Sequence, residues 1–191
     1  MTENQLIEAI RQRAADADTR TDFARTRPRE IGLPATPELI RATEQELGFA
    51  LQPLHQRLLQ TVGNGGFGPG DGLIGTKGGA LDIEGRSLCE LREALWPNSN
   101  VALLPLCDWG DGIWSCVDAN TGSVVTMSEF GLFDINQDLR CWFERWLAGE
   151  NLWLQIVVLG STIIQNPRTK EFIKVASVEA IKGKPYRPSM R

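Results

Sequence analysis

The sequence predicts an α+β fold in which helices cover an antiparallel meander, with a helix added at the N-terminus and a β-hairpin at the C-terminus. Three observations predict it. Apolar residues recur at helical spacing through much of the first half, short β-prone runs follow between residues 101 and 127, and an aromatic-rich helical stripe comes after them. At 191 residues, 42% hydrophobic and 23% charged, the chain suits one main domain with appendages and is neither disordered nor fibrous in composition.

Residues 4–25 open with Leu6, Ile7, Ile10 and Ala14 on one helical face before polarity takes over, so an N-terminal helix with a loosening end is expected. Prolines 28, 34 and 37 with Gly32 then interrupt the periodicity and mark a linker. Thr36 as N-cap and Pro37 in the first turn open a helix with Leu39, Ile40, Thr43 and Leu47 on one stripe, and Gly48 is its left-handed terminator. Pro53 starts a second helix carrying Leu54, Leu58, Leu59 and Val62, with Gly63 ending it before a glycine-rich loop, Asn64 to Gly72. Ser87 and Glu90 have capping-box spacing for a helix that runs to Trp96 and stops at Pro97.

Val101 to Leu106, Gly112 to Val117 and Ser123 to Met127 read as strands, with Asp118, Asn120 and Gly122 supplying a turn between the last two. Gln137 to Ala148 places Leu139, Trp142, Phe143, Trp146 and Leu147 on one broad face that should cover the sheet. Two β-prone runs, TIIQ and EFIKVA, flank the polar turn Asn166 to Lys170 and predict the terminal hairpin. The expected organisation is residues 1–35 as helix and linker, 36–150 as the main domain, and 151–191 as a basic extension.

Charge divides along the same boundaries. Residues 1–35 are balanced, residues 36–150 hold seven basic and sixteen acidic side chains for a net −9, and residues 151–191 carry a net +5. No Lys or Arg lies between Arg92 and Arg140, whereas Glu93, Asp108, Asp111, Asp118, Glu129, Asp134 and Asp138 do. A negative field of this kind repels nucleic acid and favours a cationic protein partner. The basic extension either touches nucleic acid or packs on the acidic core. The longest apolar run, Ile156 to Leu159, is far shorter than the roughly 20 residues of a spanning helix, and the N-terminus is charged. Neither a membrane segment nor a signal peptide is expected, and the protein is placed in the cytoplasm.

Motif by motif, catalytic chemistry finds little support. Cys89, Cys107, Cys116 and Cys141 form no metal or redox spacing and are expected as reduced thiols. His55 is expected to be partly exposed or hydrogen-bonded, and no cysteine has an activating signature beside it. Residues 63–68, GNGGFG, spell a dinucleotide fingerprint, but a helix precedes them and a loop follows, where phosphate binding needs strand then helix. Asp118, Asn120, Gly122 and Glu129 imitate a calcium loop but lack its central glycine, the position being Ser123. No metal, cofactor or small-molecule substrate is expected. Trp109, set in CDWGDG at a strand end, is either displayed as an interface anchor or folded back into the core.

Taken in order, the helix pair from Thr36 to Leu59, the segment ELGFALQPLHQRLL, Asn64-Gly65-Gly66, the strand pair LLPLCDWGDGIWSCVD and the late helix ending WLAG resemble the SUKH superfamily. That superfamily comprises Smi/Knr-type cell-wall regulators and bacterial immunity proteins. The resemblance covers about residues 36–150. It departs where Leu51-Gln52-Pro53-Leu54-His55 replaces the usual Leu-Pro and aromatic, and in the segments that flank the shared core. It implies a SUKH-like, non-enzymatic domain that neutralises a toxin, frequently a nuclease, by stoichiometric binding; a regulatory scaffold with an endogenous partner is the alternative. Asp108, Trp109, Asp111, Asp118, Glu129 and Asp134 are then the candidate partner-binding residues. Asn64, Gly65 and Gly66 form a loop whose role is read as structural, since they suit positive backbone φ between helix and sheet.

Overall fold

A computed structural model describes residues 1–22 and 30–188. Its centre is an antiparallel sheet of β1 (Leu103–Gly110), β2 (Ile113–Asp118), β3 (Ser123–Ser128) and β4 (Gly131–Asp138), with the two-residue β7 (Lys184–Pro185) on the far edge of β4. Every residue of β2, an inner strand of the sheet, is buried, so both of its faces are covered. The β1–β2 connection is a two-residue turn, Asp111-Gly112, with φ of 51° and 73°. Both central residues at positive φ give the turn that matches strand twist, which is why Asp-Gly is found there.

Strand β4 was not foreseen. Asp134, Asn136 and Gln137 disfavour strand by propensity, and Asn136 stands at φ 56° in a bulge of β4 opposite Val124 and Val125. It forms because it is sandwiched between β3 and β7, whose Lys184 pairs with Asp134. Tertiary pairing overrides local preference here.

Helix α1 (Glu3–Ala15) is shorter than the expected 4–25, ending where Asp16 turns extended and accepts from the Asp18 N–H. The last residues of that expected helix and the start of the linker, 23–29, lie outside the described residues. Helices α2 (Pro37–Leu47) and α3 (Pro53–Thr61) follow, capped by Thr36 and Gln52. Gly48 takes φ 72° as foreseen, whereas α3 closes on Val62 rather than on Gly63. In α4 (Leu88–Leu95) the Glu90 carboxylate accepts from both the N–H and the hydroxyl of Ser87.

Helix α5 (Leu139–Leu147) starts on Asp138, which accepts from the Cys141 N–H at 2.7 Å, and buries Trp142, Phe143 and Trp146 completely. Phe143 meets both tryptophans edge-on, with ring centroids 5.2 and 6.1 Å away. Such pairs add about 0.5–1.5 kcal/mol each beyond area burial. Arg13 of α1 lies 4.0 Å over the Trp146 ring, so the N-terminal helix is tied to this aromatic row.

Past α5, the short α6 (Trp153–Ile156) leads into a ribbon of β5 (Val157–Gln165) and β6 (Phe172–Ile181), longer than the predicted hairpin runs. Leu6, Ile10, Ile156, Val157 and Ile181 belong to the same buried cluster as the sheet and α5. Both terminal segments, expected as appendages, therefore contribute to one core. Among the described residues no helix is long and apolar enough to cross a membrane.

Candidate protein-binding surface

The meander sorts the candidate residues by strand polarity. Turns β1–β2 and β3–β4 lie at one end of the sheet and turn β2–β3 at the other. Neighbouring strands are about 4.8 Å apart, so the two turns at the first end sit roughly 10 Å from each other. That end carries Asp111, exposed at the first turn, and Glu129, exposed at the second. Asp108 lies just behind, half-buried, accepting from the Gly110 N–H at 2.7 Å. Among the described residues none of these three carboxylates is in an ion pair.

Two of the expected contact residues are corrected. Trp109 is only 5% exposed; its indole N–H donates to Ser115 Oγ at 2.8 Å and its ring lies 6.0 Å from that of Trp153. Strand alternation points it inward, so it is a core residue and presents no surface to a partner. Asp118 is fully buried at the opposite end of the sheet. It accepts from the N–H groups of Asn120 and Thr121 and, at 2.7 Å, from the Tyr186 hydroxyl. Burial, and then the hydrogen bond to Asp118, push the Tyr186 hydroxyl above its ordinary pKa. Asp134 is half-buried on β4, paired with Lys184 through the backbone and accepting from the Asn136 N–H. The structure thus gathers Asp108, Asp111 and Glu129 and separates Asp118 and Asp134 from them.

Sequence reasoning missed Phe130. It is 52% exposed between Glu129 and Gly131, with its N–H donating to Ser128 Oγ and Gly131 at φ 117°. The available signal was an aromatic immediately before a glycine, just past the β-prone run 123–127. Unrecognised β4 hid the turn.

The glycine loop is buried throughout residues 63–76. Asn64 Oδ1 accepts from the Thr76 N–H and hydroxyl, and its carbonyl accepts from the Ala80 N–H. Gly65 and Gly66 stand at φ 81° and 89°, and a Cβ on Gly66 would lie 2.3 Å from the Glu30 carbonyl oxygen. The residues that imitate a nucleotide fingerprint are therefore packed against backbone.

His55, expected to be partly exposed or hydrogen-bonded, is neither. It is completely buried, neither ring nitrogen has a hydrogen-bond partner among the described residues, and burial drives its pKa down to about 4, so it is neutral. The four cysteines are free thiols. Burial raises Cys107 and Cys116 well above the usual range, and burial with the nearby Glu46 carboxylate pushes Cys89 up to about 12. Among the described residues no group of three His, Cys, Asp or Glu is arranged to hold a metal ion. No family model, no curated protein and no solved structure matches the chain.

Proposed function

We propose that this chain is a cytoplasmic immunity protein that binds a cationic toxin domain stoichiometrically and covers the surface that domain needs for its substrate. The observation that carries the reading is the acidic end of the sheet. Three carboxylates free of ion pairs among the described residues, Asp108, Asp111 and Glu129, flank an exposed Phe130 on a body of net −9. An aromatic within a charged rim supplies an apolar anchor, while the field accelerates encounter with a positive partner. A nuclease is cationic where it holds phosphate, so an acidic surface seated there excludes the substrate. The likeness of residues 36–150 to the SUKH superfamily supports the same reading.

The test is calorimetric titration of the purified chain against purified toxin domains encoded beside its gene. A one-to-one complex is expected, weakened about tenfold or more by Asp111→Lys with Glu129→Lys, by Phe130→Ala, and by added salt. A well-folded chain that binds none of these domains overturns the proposal. Stable capture of a housekeeping protein instead moves the assignment to a regulatory scaffold.

A further inference from the structure

The β5–β6 ribbon leaves the body as an arm. Its nine-residue strand β5 spans about 30 Å at 3.3 Å per residue. Among the described residues its base is the part that is held: Val157 and Ile181 are in the core with Val178 packed against it, the Lys182 N–H donates to the Ile156 carbonyl, and Lys182 Nζ donates to the Leu154 carbonyl. By strand alternation and cross-strand register, Val158, Ile164, Ile173 and Val175 lie on one face of the ribbon, and Val157, Leu159, Ile163, Phe172 and Val178, interspersed with Ser161, Gln165 and Lys174, on the other. Along it Val157 is 1% exposed, Leu159 45%, Ile163 69% and Phe172 75%. Apolar side chains that begin as core thus run out uncovered into solvent, on both faces of the ribbon.

A two-stranded ribbon alone is marginal in water, and an apolar one with open edges invites pairing. We propose that this arm is a homodimerisation device whose occupant is the same ribbon of a second copy, stacked face to face and antiparallel about a two-fold axis. Charge selects both occupant and direction. The tip holds Arg168, Lys170 and Lys174 against Glu171, while residues 36–150 of the body are net −9. Parallel stacking would bring the two basic tips together, whereas antiparallel stacking lays each tip toward the partner's acidic body. The same tip repels a cationic toxin, so the arm and the acidic sheet end serve different partners. A two-fold also needs a self-complementary patch, which the Leu159, Ile163 and Phe172 face set against its own copy provides.

Sedimentation velocity of the full chain across the micromolar range tests this. A dimer is expected. Ile163→Asp with Phe172→Asp should raise its dissociation constant by about 100-fold with the far-UV spectrum unchanged. Arg168→Glu with Lys170→Glu, on the exposed turn, should raise it about tenfold, and more at low salt than at high. A wild-type chain that stays monomeric throughout overturns the proposal, as does a dimer unaffected by the charge reversal. Should the apolar pair fail to fold, the charge reversal alone decides.

Discussion

His55 is an unusual core residue because both ring nitrogens are buried without partners among the described residues. Desolvation favours the neutral ring, and its pKa falls from an ordinary 6.5 to about 4. In the unfolded chain the ring takes up a proton near pH 6.5, while the folded protein resists until about pH 4. The stability this neutral ring confers is therefore present above pH 6.5 and is lost as pH falls toward 4. Between pH 7 and pH 5 the loss from this one group is about 2 kcal/mol. His55→Leu removes the titrating group and both unpartnered nitrogens at similar volume. Urea unfolding should show the variant as stable as the parent or about 1 kcal/mol more stable at pH 7. At pH 5 its advantage should be larger by about 2 kcal/mol. Tyr186 is the opposite case, a polar group whose partner depends on it: Tyr186→Phe leaves one oxygen of the buried Asp118 without its 2.7 Å bond. That change should cost about 1–3 kcal/mol in the same assay.

Loop and strand behave differently at the scale of elements. The segment 63–76 has no regular structure of its own, yet it is fixed by the Asn64 side chain and by glycines that let backbones touch. Gly66→Ala combines a positive φ with a Cβ set against the Glu30 carbonyl, and should lower stability by about 2–3 kcal/mol or more in thermal unfolding. Gly78→Ala meets nothing within 4 Å, though at φ 76°, and should cost only about 1 kcal/mol. The helices were legible because their signals are local: Thr36 with Pro37, Ser87 with Glu90, and the Trp142-Phe143-Trp146 stripe each declare a boundary or a face. Strand β4 was not, since Asp134 and Asn136 carry no strand signal and the pairing partner β7 lies some 50 residues away. The candidate surface was legible in the same uneven way. Charge placed Asp111 and Glu129 in an acidic stretch, but which carboxylates share one end depends on strand order. Trp109 faces inward by strand phase and Phe130 outward because it sits in the β3–β4 turn, and both are known only once the turns are fixed.

For the whole molecule, the chain joins an acidic body to a basic arm while making both ends of the sequence part of one core. Helix α1 reaches α5 through Arg13 on Trp146, and the chain returning from the arm adds β7 to the sheet and ties Tyr186 to Asp118. The arm itself adds little to that core beyond Val157 and Ile181, since most of its residues are exposed. Leu159 and Val178 are register partners, so replacing residues 160–177 with Asn-Gly closes the ribbon through a two-residue turn and leaves its base intact. Stability measured on monomeric protein should change by no more than about 1 kcal/mol, because the removed side chains were exposed in the monomer. Oligomeric state and toxin binding should then part company. The shortened chain should sediment as a monomer and retain the affinity set by Asp111, Glu129 and Phe130, because the acidic sheet end is built from strands that the deletion does not touch. Loss of toxin affinity in a shortened chain that still melts cooperatively would place the arm within the toxin interface and merge the two surfaces into one.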